Sequence, residues 1–131
     1  MDIKELVKIS EGVLLNPTAN LNRQIKGAFA ADLMSDVLTS IQPDAVLLTG
    51  LCNPQVIRTA IMADVAAVVV VRGKTIPETT INLAIAEGIP LIRTNKGIFE
   101  MCGLLYNQGL QSMEKPLPNG EDTENACDPL S

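Results

Sequence analysis

The sequence predicts an α/β fold, a three-layer sandwich whose mainly parallel sheet is built from repeated strand-helix units. Three observations carry this. Val46, Val69 and Ile92 sit in the middle of apolar runs, each 23 residues after the last, the spacing of a βα unit. The runs Ala45–Leu48, Ala66–Val71 and Ile89–Ile92 are apolar without alternation, as strands covered on both faces are. Between them lie helical stripes with start and stop signals. At 131 residues the chain holds one domain with a substantial core.

The elements follow in order. Asp2 to Ser10 fits a short amphipathic helix with Ile3, Leu6, Val7 and Ile9 inward. Gly12 to Asn16 and Gln24 to Ala30 fit strands separated by the turn-rich Asn16-Pro17-Thr18-Ala19-Asn20. Asp32 to Ile41 reads as a helix burying Leu33, Met34, Val37, Leu38 and Ile41, with Asp32 as N-cap and Asp36 solvated. Asn53-Pro54 opens the next helix, whose stripe is Val56, Ile57, Ala60 and Ile61 and whose end lies near Asp64. Thr75 and Glu78 have capping-box spacing before the stripe Ile81, Ala84 and Ile85, and Gly88 stops that helix. The last helix opens at Asn95 to Gly97, buries Ile98, Met101, Leu104 and Leu105, and closes at Asn107 to Gly109. A Met-bearing stripe at this spacing is core packing.

The formal charge of −5 is unevenly distributed. Beyond residue 110, Glu114, Glu121, Asp122, Glu124 and Asp128 face Lys115 alone, so that segment holds most of the excess. With Pro116, Pro118 and Asn119-Gly120 it reads as an acidic, disordered C-terminal tail, 111–131, outside a domain of 1–110.

Several function classes are excluded by composition. The chain has no His and no Trp, and only Phe29, Phe99 and Tyr106 are aromatic. Histidine-dependent triads and His-ligated metal sites therefore fall away, and neither a metal nor a cofactor is expected. Nucleic-acid binding lacks both a net positive surface and a stacking platform. Cys52, Cys102 and Cys127 form neither a CxxC pair nor a disulfide framework and read as reduced thiols of a cytoplasmic protein. The longest apolar run, Val65 to Val71, is far short of the roughly 20 residues of a membrane span, and the start of the chain lacks signal-peptide order.

In parallel sheets ligands sit beyond the carboxyl ends of the strands. Those ends read Thr49-Gly50-Leu51-Cys52-Asn53, Arg72-Gly73-Lys74-Thr75 and Arg93-Thr94-Asn95-Lys96, with four basic residues and no acid. Gly50 and Gly73 allow an anion to approach the backbone. Thr49, Asn53, Thr75, Thr94 and Asn95 offer donors, and Arg72, Lys74, Arg93 and Lys96 offer charge. The same loop tips are where solvated Arg and Lys ordinarily lie. No Walker A or GxGxxG loop is present. Cys52, between a strand end and a helix start, is a position where a thiolate is favoured, but without His the usual Cys–His nucleophile cannot form.

The stretch Ile25-Lys-Gly-Ala-Phe-Ala-Ala-Asp-Leu-Met-Ser-Asp-Val-Leu38 resembles the DRTGG domain family. So do Val46 to Thr49, Ala67 to Val71, Ala86-Glu-Gly-Ile-Pro-Leu-Ile-Arg-Thr94 and Phe99-Glu100. The likeness spans roughly residues 2 to 110. It is nearest to small stand-alone DRTGG proteins encoded beside iron-only hydrogenase subunits. The five letters that name the family are absent. The resemblance implies a regulatory, dimerising accessory domain of the kind attached to phosphotransacetylases and CBS-domain pyrophosphatases. The function expected is thus a non-catalytic regulatory or adaptor domain that forms a homodimer and takes a small anionic ligand, a nucleotide or acyl phosphate. A larger enzyme is its expected partner. The alternatives are a dedicated sensor signalling to a hydrogenase or phosphotransacetylase, and a Cys52 thiol enzyme.

Overall fold

The computed structural model describes residues 1–17 and 19–116. Helix α1, Ile3–Ser10, is capped by Asp2, whose carboxylate accepts from the Glu5 amide at 2.9 Å, and it ends at Glu11 in the left-handed region. There follow β1 (Val13–Leu14), β2 (Gly27–Ala30), α2 (Met34–Ser40), β3 (Ala45–Thr49), α3 (Pro54–Met62) and β4 (Ala67–Val70). The described chain then continues through α4 (Glu78–Glu87), β5 (Leu91–Arg93), α5 (Ile98–Asn107) and β6 (Gln111–Ser112).

The six strands form one sheet in the order β1-β5-β4-β3-β2-β6, parallel except for β1, which runs antiparallel to β5. The α/β class and the layers are as the sequence predicts. Consecutive side chains of each strand serve opposite faces, which explains the lack of alternation. Leu47, Val68, Val70 and Leu91 pack under Val37 of α2, Val56, Ile57 and Ala60 of α3, and Ala84 of α4. Val46, Leu48, Val69 and Ile92 pack under Ile3 and Leu6 of α1 and Met101 and Leu105 of α5. Successive crossovers β2 to β5 step in one direction and keep their helices on one face, whereas α5 returns across the other face to the far edge.

The structure corrects several expectations. Val69 pairs with Ile92 as the 23-residue spacing requires, but Val69 pairs with Leu48 rather than Val46, because the β3–α3–β4 unit is two residues shorter than the next. The expected strands at 12–16 and 24–30 shrink to Val13–Leu14 and Gly27–Ala30. Asp32 is not a helix cap: α2 starts after Leu33 with no side-chain cap bond. The Thr75–Glu78 capping box does not form, since Pro77 occupies the N-cap of α4. Leu33 and Leu38, expected inward, are exposed.

Residues just beyond 110 also join the sheet. Gln111–Ser112 extend the sheet beside β2, Glu114 bridges to Ile41, and the Lys115 amide donates to the Ser40 carbonyl. An edge strand with both faces exposed carries no apolar signature, so Gln111 and Ser112 read as tail. Gly27 makes room for it: a Cβ there would collide with the Gln111 carbonyl and the Met113 side chain. The rest of the expected tail, 117–131, lies outside the described residues.

Candidate ligand-binding edge

The residues predicted to hold a ligand do lie at the carboxyl ends of β3, β4 and β5, and the structure sorts them into two groups. The first surrounds Gly50. The Asp32 carboxylate, at the end of β2, accepts from the Gly50 amide at 2.7 Å and from the Thr49 hydroxyl at 3.1 Å through Oδ1. The Thr49 hydroxyl accepts in turn from the Leu51 amide at 3.1 Å. From the other side, Lys74 Nζ donates to the Gly50 carbonyl. A Cβ on Gly50 would sit 3.5 Å from Asp32 Oδ1, 3.6 Å from Oδ2 and 3.6 Å from Lys74 Nζ, so opposite charges flank this glycine. Asp32 was missed by the strand-end reading. The signal was present, because Asp32 follows the β2 run as Thr49 follows the β3 run, but helix-cap chemistry explained it first.

The second group joins the β4 and β5 ends. Arg72 and Gly73 both take positive φ, 69° and 62°. Their amides donate to the Lys96 carbonyl at 2.9 Å and the Thr94 carbonyl at 2.8 Å. At Gly73 a Cβ would lie 2.6 Å from Asn95 Oδ1, so a side chain there would displace the Asn95 amide. Thr94 is engaged elsewhere: its buried hydroxyl donates to the Ser10 carbonyl at 2.8 Å and accepts from the Lys96 amide at 3.2 Å. Lys96 is paired with Glu100 at 3.4 Å and Glu11 at 3.6 Å. Among the described residues, Arg72, Lys74 and Arg93 take part in no ion pair.

Asn53, Thr75 and Asn95 are exposed at the same edge. Helices α3, α4 and α5 all begin here, and none has a side-chain cap hydrogen bond. Their first-turn amides therefore face the edge without a side-chain acceptor. Cys52 has the Thr75 carbonyl, 4.0 Å from its Sγ, as polar neighbour, and its own carbonyl accepts from the Thr80 hydroxyl at 2.8 Å. Burial pushes the Cys102 thiol pKa up. Among the described residues no three His, Cys, Asp or Glu side chains cluster as metal ligands.

A cleft of about 300 Å³ opens at the opposite, amino edge, between Arg23, Ile61, Asp64, Glu87 and Pro90. It is remote from the strand ends just described, and its Arg23 is fully engaged. Arg23 reaches Asp44 Oδ1 through Nε at 3.1 Å and Nη2 at 2.8 Å, Asp64 Oδ1 at 3.1 Å, and the carbonyls of Asp64 and Val65. This clamp ties together the turns before β3 and β4, where Asp44 and Asp64 adopt positive φ. Desolvation works against the Arg23 charge, but its hydrogen bonds to Asp44 and Asp64 outweigh it and raise its pKa. The Arg23 hydrogen bond holds the Asp44 carboxyl below its ordinary range.

The DRTGG domain family model matches residues 5–107. The chain belongs to the DRTGG domain family. Among solved structures, this DRTGG domain is similar to the CBS and DRTGG domains of the regulatory region of a Clostridium perfringens pyrophosphatase, complexed with the activator diadenosine tetraphosphate. The TM-score is 0.62 at 16% identity, over 82% of this chain and 46% of that one. The present chain thus spans less than half of that structure. No curated protein matches the sequence. No helix among the described residues of this DRTGG domain is long and apolar enough to cross a membrane.

Proposed function

We propose that this chain is a non-catalytic regulatory or adaptor domain that self-associates and binds a small anionic ligand at the carboxyl edge of its sheet. One observation carries the reading: three helices open onto that edge without side-chain caps, where Arg72 and Arg93 take part in no ion pair among the described residues and Lys74 faces Asp32 across Gly50. Unpaired helix-start amides together with basic side chains suit phosphate oxygens. The Asp32 carboxylate, beside Gly50 and Lys74, favours a nucleotide over a bare acyl phosphate, because Oδ2 can accept ribose hydroxyls that an acyl phosphate lacks. A nucleotide activator on the regulatory region of the pyrophosphatase supports the same class of ligand. The larger enzyme served by the domain is proposed to be an iron-only hydrogenase, following the resemblance to proteins encoded beside its subunits, and the site of action the cytoplasm.

The test is thermal unfolding against ATP, AMP, a diadenosine polyphosphate and acetyl phosphate. A ligand that binds only the folded state at 100-fold over its Kd stabilises by about 2.7 kcal/mol. The expected result is a raised Tm with nucleotides that is lost in Arg72→Glu/Arg93→Glu. Absence of a shift across the panel refutes the ligand.

A further inference from the structure

One strip of the outer face of α5 is apolar, flanked by the exposed Glu100 and Asn107. Phe99 is 91% exposed and Tyr106 77% exposed, while Met101 and Leu105 on the opposite side are fully in the core. Between the two aromatics, Cys102 is half-buried and Gly103 exposed, with open space where a Gly103 side chain would stand. A surface helix ordinarily turns polar residues outward, and an apolar strip rimmed by polar residues on that face marks an interaction surface.

The order of these residues specifies the cover. Phe99 and Tyr106 are equally far from the midpoint of Cys102 and Gly103, about 5 Å along the axis on either side. A second α5 lying antiparallel across a two-fold axis at that midpoint sets Phe99 of one copy over Tyr106 of the other, twice. The small Cys102 and Gly103 fall at the crossing, where close approach is needed. A two-fold interface must be complementary to itself in this way. Four aromatic side chains, at roughly 150–250 Å² each, supply about a third to four-fifths of the roughly 1,200–2,000 Å² of a stable protein interface. The sheet edges offer a poorer route, because β1 and β6 are each two residues long.

We infer that α5 is the self-association face of the domain and that its occupant is a second copy of this chain, docked antiparallel through Phe99, Gly103 and Tyr106. The inference rests on the self-association proposed above and adds its surface and its geometry. The two carboxyl edges then point in opposite directions, so each copy presents its own ligand edge.

Sedimentation velocity of the full chain at micromolar concentration provides the test. The wild type should sediment at twice the chain mass of 14.0 kDa. Phe99→Glu and Tyr106→Glu should each return it to the chain mass with unchanged circular dichroism, whereas Met62→Glu, on the exposed side of α3, should remain a dimer. With the native cysteines replaced by serine, Gly103→Cys should form an intermolecular disulfide on mild oxidation. A monomeric wild type overturns self-association itself. A dimer that survives both charge substitutions, or a Gly103→Cys chain that does not cross-link, overturns the α5 face and leaves self-association standing.

Discussion

Asn16 is 1% exposed although it precedes a proline in the most turn-like stretch of the chain. Its Oδ1 accepts from the Leu91 amide at 2.8 Å, and its Nδ2 donates to the Ile89 carbonyl and, at 3.4 Å, to the Ala84 carbonyl. The side chain thus completes the outer ladder of β5 beside Leu15, whose amide donates to the Leu91 carbonyl. Asn16→Leu keeps the branched shape and removes both polar atoms. The Ala84 carbonyl still accepts from the Ile89 amide, which leaves the Leu91 N–H and Ile89 C=O newly unpaired. At about 1–3 kcal/mol for each unsatisfied buried group, the loss is about 2–6 kcal/mol, a large part of the ~5–15 kcal/mol that holds a domain together. Urea unfolding followed by far-UV circular dichroism should show a much lower midpoint with an unchanged slope. Asn16→Asp keeps the acceptor but turns a carboxylate oxygen toward the Ile89 carbonyl. Its deficit relative to wild type should shrink as pH falls, because the protonated carboxyl can donate again. A loss below about 0.5 kcal/mol for Asn16→Leu would refute the anchoring role, since that is the range of a neutral surface substitution.

Two further outcomes follow from single side chains. Thr59 of α3 is fully buried with no hydrogen-bond partner for its hydroxyl among the described residues; Thr59→Val should therefore raise stability by about 1–2 kcal/mol, read as a higher Tm, and an unchanged or lower Tm would show that the hydroxyl has a partner. Asp44 has a folded-state pKa below its ordinary 3.8, so it contributes stability that is present above that value and lost as pH falls through the folded pKa. Asp44→Asn, which tolerates the same positive φ, should flatten the acid limb of Tm against pH at and below that window, and an unaltered limb would mean that the Arg23 clamp contributes nothing to acid stability.

The core of the fold was legible because fully buried parallel strands leave unbroken apolar runs, and Ala45–Leu48, Ala67–Val70 and Leu91–Ile92 within β3, β4 and β5 are such runs. What was hidden acts across long stretches of chain. Asn16 reaches Leu91 and Ile89, Arg23 reaches Asp44 and Asp64, and Asp32 reaches Gly50. Each has an ordinary local reading as a turn, a solvated base or a cap, and nothing in the local pattern names the distant backbone group. The candidate edge was half legible for the same reason. Strand ends could be counted, but that Thr94 and Lys96 turn toward Ser10, Glu11 and Glu100 depends on where α1 returns to the sheet. Phe99 and Tyr106 lay outside the buried stripe read for the last helix, and only the exposure of that face gave them a meaning.

The pairing of β2 with β6 joins Gly27 to Gln111, across most of the described chain. A nascent chain cannot close its sheet until nearly all of the domain has been synthesised, and the long loop must be ordered before the contact rewards it. A fragment cut at residue 110 would leave Gly27 and Ala28 without their β6 partners, a backbone edge open to strand addition from other molecules. The few polar residues that finish the sheet thus act as a molecular hem over the first half of β2, occupying backbone groups that a second molecule could otherwise pair with.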